Sequence, residues 1–144
     1  MRLDLIVLAL AAVTAACGGH GGTTTSKTDP VVGVWTLETY NGKPLPFTGT
    51  PDGDAINQVT GGEMEFNASS YTLGISIIRT VGGTQSFNQN YSEFGTYTRT
   101  SEGLTLKPFD APGLPSKAPT VPATISGTTL SFVQDGRPLT FVKR

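Results

Sequence analysis

The sequence predicts an all-β protein, a small up-and-down antiparallel barrel of about eight strands. The chain is rich in Gly, Thr, Ser and Pro beside Val, Ile, Leu, Phe and Tyr, a composition that favours short strands joined by turns. From Val31 onward, apolar and polar residues alternate in short runs separated by turn residues, and no run has the length and period of a helix. Closing the strands into a barrel removes exposed sheet edges. An open β-sandwich is the alternative.

Alternating runs place the strands in order along the chain. The runs are residues 33–40, 62–67, 71–78, 84–91, 95–99, 104–106, 123–126, 129–134 and 138–143. Tight turns are predicted at Asn41–Gly42, after the first strand, and at Asp135–Gly136, before the last. A Gly- and Asp-rich loop precedes the second strand. The Pro-rich stretch Pro108–Pro122 cannot be an interior strand and is interpreted as a long irregular connection.

Apolar side chains that share the inward parity of these strands form the predicted interior, and Leu37 and Met64 are also expected to face inward. The predicted interior residues are Trp35, Phe66, Tyr71, Leu73, Ile75, Ile77, Tyr97, Leu106, Leu130, Phe132, Leu139 and Phe141. A filled core is favoured because a short barrel needs these side chains for stability. A cavity that the same residues line around a ligand is the alternative. Arg79 shares this parity and is placed at the rim, since a charged group inside would need a partner.

Size, charge and cysteine content exclude several classes of function. A chain of 144 residues has room for one domain. The formal net charge is -1, and the ten Lys and Arg residues are scattered rather than gathered in a basic stripe. We therefore expect no nucleic-acid partner. The single cysteine, Cys17, cannot form an internal disulfide or a multi-thiolate metal site.

The N-terminus has the features of an export signal. Residues 1–16 have the layout of a secretory signal peptide, with an arginine, an apolar run at Leu5–Val13 that is too short to span a membrane, and small residues before Cys17. The segment 13–17 (VTAAC) resembles a bacterial lipobox. The resemblance implies a lipid anchor at Cys17, attachment to the membrane of the cell envelope and, because Gly18 rather than Asp follows, an outer-membrane location. Ordinary cleavage that leaves a free thiol is the alternative.

Residues 17–30 are predicted to be the lipidated cysteine and a flexible tether, since 18–29 contain no apolar residue to bury. The one histidine, His20, lies here and is interpreted as a solvated tether residue. The predicted domain, 31–144, therefore has neither histidine nor cysteine. This excludes Ser–His catalysis, Cys–His catalysis and the common zinc sites within the domain.

Carboxylate chemistry remains to be considered. The loop 52–57 contains Asp52, Asp54 and Asn57, but Ile56 falls where a calcium loop of the EF-hand type needs its third ligand. Glu63 and Glu65 alternate with apolar residues and are expected on the solvent side of a strand. We therefore expect no catalytic residue, no metal ion and no cofactor, and predict that the protein is not an enzyme.

Four segments, taken in order, resemble the small lipocalin-like lipoproteins of bacteria. They are 33–37 (GVWTL), 41–46 (NGKPLP), 95–97 (GTY) and 128–132 (TTLSF). The resemblance covers most of 31–144 and implies a lipocalin-like barrel in which Trp35 plugs the closed end. It also implies that a basic side chain lies against the indole. The candidates are Lys143, Arg144 and Arg137.

The resemblance leaves two functions open. The first is a monomeric binding module that holds a small apolar or amphipathic ligand. The second is a structural or protein-interaction lipoprotein with a filled core, which would act through the loops 48–60 and 108–122. A second group of small β-rich periplasmic stress lipoproteins shares the Gly-x-Trp-x-Leu opening at Gly33–Leu37.

Overall fold

The computed structural model describes residues 29–109 and 119–144, and within these ranges the chain forms strands and no helix. The strands are β1 (Gly33–Tyr40), β2 (Lys43–Pro44), β3 (Phe47–Thr48), β4 (Ala55–Phe66), β5 (Ser70–Val81), β6 (Gln85–Asn88), β7 (Tyr91–Arg99), β8 (Gly103–Pro108), β9 (Val121–Ser126), β10 (Thr129–Gln134) and β11 (Arg137–Lys143). The predicted signal peptide (1–16), Cys17, His20 and the tether up to residue 28 lie outside the described residues.

Eight of these strands form a closed wall. Each pairs antiparallel with the next in the order β1, β4, β5, β7, β8, β9, β10 and β11, and β11 pairs again with β1. Trp35 on β1 lies opposite Met64 on one side and Lys143 on the other. The predicted up-and-down barrel is thus confirmed, and the sandwich alternative is wrong.

The two ends of the barrel differ. At the Trp35 end, β1 pairs directly with both of its neighbours. Towards Tyr40, β1 pairs with the short strand β2 instead of β4, and the first part of β4 pairs with β3. In the same way the last part of β5 pairs with β6, while its first part pairs with β7. Short strands therefore widen the wall at one end and leave the other end narrow.

The region before residue 62 differs from its predicted structure. The segment 48–60 was expected to be a loop, yet β4 begins at Ala55 and β3 includes Phe47 and Thr48. A register shift between Val59 and Gly61 interrupts the pairing of β4 with β5. A bulge of this kind inserts one residue, so side chains on the two sides of it that are an even number of residues apart point to opposite faces. A search for period-two alternation therefore does not detect the part of the strand before the bulge.

The Pro-rich connection is shorter than predicted. Pro108 ends β8, and β9 begins at Val121, so the predicted irregular stretch 108–122 is wrong at both ends. Pro122 lies opposite Thr105 of β8, and the described pairing of β9 with β10 begins at Ala123. A proline without an N–H group is compatible with this place near the start of a strand. Residues 110–118 lie outside the described ranges.

Both predicted tight turns are confirmed by their backbone. Asn41 and Gly42 have φ angles of 54° and 68°, and Asp135 and Gly136 have 49° and 75°. Two successive residues with positive φ are the signature of the hairpin turn that matches the twist of the strands. Asn, Asp and Gly tolerate this conformation best, which explains why these dipeptides mark the turns in the sequence.

The core confirms most of the predicted interior. Ten of the predicted side chains are buried: Trp35, Phe66, Tyr71, Leu73, Ile75, Leu106, Leu130, Phe132, Leu139 and Phe141. Ile77 and Tyr97 are only partly buried and pack against this cluster. Leu37 and Met64 face inward as expected, and Val31, Val59 and Leu104 join them. No polar or charged residue among those described is fully buried.

Candidate functional site

The narrow end of the barrel is closed by Trp35. The indole has no exposed surface, and its Nε1 donates a hydrogen bond to the carbonyl oxygen of Val31 at 2.9 Å. Lys143 Nζ lies 5.6 Å from the ring centroid, within the range of a cation–π contact. Of the three basic residues proposed for this role, Lys143 fills it. Arg144 bonds Glu63 on the surface, and Arg137 lies at the opposite end.

The chain enters the barrel at this closed end. The Asp29 carboxylate accepts hydrogen bonds from the Arg99 guanidinium and, at 2.9 Å, from the Val31 amide. The hydrogen bond from Arg99, followed by that from Val31, lowers the pKa of Asp29 below its usual value of 3.8. Lys143 Nζ also donates to the Pro30 carbonyl oxygen. These contacts fix residues 29–31 against the plug.

The wide end contains a cavity of about 420 Å³. Its walls are apolar or aromatic and come from Tyr40, Phe47, Val59, Ile75, Ile77 and Leu139. Its polar side chains come from Asn41, Thr50, Asn57, Tyr91, Gln134, Asp135 and Arg137. Of the predicted interior residues, Ile75, Ile77 and Leu139 line it. The rest of that set does not line the cavity, because the barrel is filled below it: Phe66, Tyr71, Leu73, Leu106, Leu130, Phe132 and Phe141 are buried there, and Tyr97 packs beside them.

A carboxylate is hydrogen-bonded to two of the residues that line the cavity, Tyr91 and Gln134. Glu93 accepts hydrogen bonds from Tyr71 Oη at 2.8 Å, from Tyr91 Oη at 2.6 Å and from Gln134 Nε2 at 2.6 Å. Gln134 Nε2 also donates to Tyr91 Oη at 2.9 Å. Glu93 on β7 and Gln134 on β10 lie beyond the paired parts of β8 and β9, so the bonds from Gln134 join two strands that are not neighbours in the wall. Tyr91 and Gln134 line the cavity, while Tyr71 is buried below it.

The two tyrosines that bond Glu93 are held in their neutral form. Burial raises the pKa of Tyr71, and the hydrogen bond to the Glu93 carboxylate raises it further. The same two causes raise the pKa of Tyr91. Both hydroxyl groups therefore remain protonated well above neutral pH.

One polar atom near the cavity has no partner. Asn57 lines the cavity from β4, and its Oδ1 is buried without a hydrogen bond to any residue that the structure describes. The backbone carbonyl of Asn57 accepts a hydrogen bond from the Gly49 amide at 2.9 Å, so the strand itself is well held. An unpartnered buried oxygen costs stability, and such groups in native proteins often have a functional explanation.

The carboxylates singled out in the sequence do not meet in a cleft. Asp52, Asp54, Glu63 and Glu65 are all exposed, as expected. No group of three His, Cys, Asp or Glu side chains within residues 29–109 and 119–144 is placed to hold a metal ion. Arg79 is half-buried near the end of β5, opposite Asn57 and Phe87, and does not line the cavity.

The sequence pattern did not single out Glu93, or Tyr91 and Gln134, which bond it and line the cavity. A signal was available, because Tyr91 and Glu93 continue backwards the inward parity of Gly95 and Tyr97 on the same strand. The predicted runs end at residue 91 and resume at residue 95, so Glu93 falls between them, whereas a single strand, β7, spans Tyr91–Arg99. An inward-facing carboxylate is the kind of residue that the chemistry of a site requires.

Comparisons of the chain with protein-family models, with curated proteins and with solved structures found no match. The barrel, plugged at one end and open at the other, is compatible with a lipocalin-like fold. In the part of the chain that the structure covers, no helix has the length and apolar character needed to cross a membrane.

Proposed function

We propose that this protein is a lipid-anchored protein of the bacterial envelope that holds a small amphipathic molecule in the open end of a lipocalin-like barrel. The observation that carries the proposal is the cavity of about 420 Å³ beside Ile77 and Leu139. Ligand sites of roughly 300–1,000 Å³ are apolar concavities with a few placed polar groups. The apolar walls and the polar rim of this cavity match that description.

The anchor is supported by the sequence. The lipobox-like segment 13–17 ends at Cys17, and 18–28 lead to the closed end of the barrel at Asp29. Anchoring is stable when at least two acyl chains are buried, at about 0.8 kcal/mol for each methylene group. A Cys17→Ser variant should lose acyl labelling and leave the membrane fraction. Retention of this variant in the outer membrane would contradict the anchor.

A binding role rather than a catalytic one is supported by the residues of the domain. The sequence from Val31 to Arg144 contains no histidine or cysteine. The Glu93 carboxylate already accepts hydrogen bonds from Tyr71, Tyr91 and Gln134. A general base must instead lie within hydrogen-bond reach of the proton that it removes from a substrate.

The ligand can be tested by native mass spectrometry on the full lipoprotein, extracted gently from its own envelope into a neutral detergent. We expect an additional bound mass that denaturation releases. Ile77→Trp should remove that mass by filling the cavity, whereas Ile78→Trp, at the next position of β5 and outside the cavity lining, should retain it. A clean mass for the unmodified protein, with no uptake of added apolar probes, would contradict the proposal.

A second candidate, a protein-interaction lipoprotein, is favoured by one surface feature. Phe94 and Phe109 are 57% and 61% exposed, and the Phe109 amide donates a hydrogen bond to the Phe94 carbonyl at 2.8 Å. Adjacent exposed aromatic side chains are typical of binding surfaces. If this candidate is right, a photo-crosslinker at position 94 should capture one partner in intact envelopes. If the cavity is the functional site, we expect a monomer with no such capture.

A further inference from the structure

The first residues that the structure describes are fixed against the Trp35 plug. Val31 has no exposed surface, and its carbonyl oxygen accepts the hydrogen bond from Trp35 Nε1 at 2.9 Å. The Asp29 carboxylate accepts hydrogen bonds from the Val31 amide and from the Arg99 guanidinium. The Val32 amide donates to the Asp29 carbonyl oxygen at 3.0 Å. Apolar burial and hydrogen bonds thus act on the same short segment, and the chain joins the barrel at Asp29.

Asp29 and the cavity lie at opposite ends of the barrel. The described turns at the plugged end are 67–69, 100–102 and 127–128. Arg99, which bonds Asp29, directly precedes the second of these turns. The described turns at the mouth of the cavity are 41–42, 82–84 and 135–136. Asn41 and Asp135 from the mouth turns line the cavity. The chain therefore joins the barrel at the end that is farthest from the mouth.

The two ends are separated by the length of a wall strand. β5 has 12 residues and runs from the turn at 67–69 to the turn at 82–84. At about 3.4 Å per residue and a tilt of about 40°, such a strand spans roughly 30 Å along the barrel axis. The mouth therefore lies roughly 30 Å from the end at which Asp29 joins the barrel.

The proposed anchor is close to Asp29 along the chain. The segment 18–28 (GGHGGTTTSKT) separates Cys17 from Asp29. Its composition predicts a flexible linker, and a linker of this length has a root-mean-square span of roughly 17–20 Å. This span is shorter than the distance between the plug and the mouth. To bring the mouth to the membrane, the linker would have to stretch beyond its average span, which costs conformational entropy.

We propose that the mouth of the cavity faces away from the membrane that holds the lipid anchor, and that the ligand enters from the aqueous side. This inference rests on the proposed anchor at Cys17 and on the proposed binding function, and it adds the route by which the ligand arrives. The plugged end, with Asp29, lies next to the anchoring bilayer. The ligand is accordingly a molecule that reaches the cavity through water, and not a lipid taken directly from that bilayer.

The direction of the mouth can be measured by energy transfer on the full lipoprotein. The vesicles contain phosphatidylethanolamine, phosphatidylglycerol and a rhodamine-labelled lipid, and a donor dye is attached to one introduced cysteine at a time. Ser69→Cys and Glu102→Cys place the dye in exposed turns at the plugged end. Lys43→Cys and Thr84→Cys place it at exposed positions near the mouth. We expect stronger transfer from the plugged end, equivalent to a distance from the bilayer that is shorter by roughly 30 Å.

Two positions at each end make the comparison independent of the folding of a single variant. Equal transfer from both ends, or stronger transfer from the mouth, would overturn the proposed direction while the anchor and the binding function stand. The unmodified protein is the control for the anchor, because an acylated Cys17 has no free thiol to take up the dye. Dye on the unmodified protein, together with no association with the vesicles, would overturn the anchor and this inference with it.

Discussion

The two ends of the barrel are built from the same chain on different principles. At the closed end, Trp35, Leu130 and Phe141 have no exposed surface, and the wall strands pair directly. At the open end, short strands widen the wall around a cavity that Tyr91 and Gln134 line, and both of these side chains bond the Glu93 carboxylate. Apolar burial is the main source of stability, whereas selective binding needs space and unsatisfied polar groups. Apolar burial at the closed end therefore supplies stability that the cavity at the open end does not.

The largest expected difference in stability between the two ends comes from removing the Trp35 side chain, which plugs the closed end. Trp35→Ala should lower the free energy of unfolding by about 3–5 kcal/mol, because it empties a fully buried site and frees the Val31 carbonyl. Ile77→Ala at the open end should cost less, since Ile77 is only partly buried. Urea unfolding followed by circular dichroism measures both. A larger loss of unfolding free energy for Ile77→Ala would show that the main stabilising core lies at the open end, in contradiction to this comparison.

Packing between the ends can be tested at Gly95. A Cβ atom there would lie 2.5 Å from both the Lys107 carbonyl oxygen and Tyr71 Cε1, so Gly95→Ala should cost about 1–3 kcal/mol. Gly61, also in a wall strand, has nothing within 4 Å of its added Cβ, and Gly61→Ala should change stability by less than about 0.5 kcal/mol. Equal thermal unfolding midpoints for the two variants would show that Tyr71 can move away from Gly95.

The contribution of the hydrogen bonds to Glu93 can be tested by comparing two tyrosines. Tyr71→Phe removes a hydrogen bond to the Glu93 carboxylate and should cost about 1.5 kcal/mol. Tyr97→Phe removes a bond of equal length, 2.8 Å, to the Asn67 carbonyl nearer the surface, and should cost about 0.5–1 kcal/mol. Urea midpoints compare the two variants. If Tyr71→Phe is the milder change, the carboxylate network contributes little to stability.

The smallest expected effect lies in the exposed contact between Asp29 and Arg99. Since the pKa of Asp29 is lowered on folding, its contribution is present above pH 3.8, its ordinary value, and is lost as the pH falls through the lower folded value. Asp29→Asn should cost less than about 1 kcal/mol at pH 7, because exposed ion pairs are weak. Unfolding measured from pH 7 to pH 2 should show the difference from the unmodified protein shrinking below about pH 4. A difference that grows in acid would contradict the lowered pKa.

The closed end could be predicted from the sequence. Trp35, Leu130 and Phe141 lie in runs whose alternation is uninterrupted, and a period of two assigns such residues to one face. The contact of Lys143 with the indole came from the resemblance, which left Arg144 and Arg137 as alternatives until the fold placed them elsewhere. Closure into a barrel followed from the number of short strands.

The open end could not be predicted in the same way. Val59 and Asn57 lie beyond a bulge that reverses the parity of β4, so no fixed period connects them to Met64. Glu93 and Gln134 meet from strands that are not neighbours, a contact set by the curvature of the sheet and not by spacing along the chain. Most of the predicted interior side chains fill the barrel, while Ile75, Ile77 and Leu139 line the cavity at the open end.

Strand β1 also determines when the molecule can fold. It pairs with β11, so Trp35 and Lys143, which come from opposite ends of the described chain, must meet before the wall closes. Contacts between residues so distant in sequence carry a large loop-closure entropy and are associated with slow folding. During synthesis β1 emerges first and must wait for its last partner. We therefore expect closure of this seam to limit the folding rate, and chains that lack β11 to remain prone to aggregation.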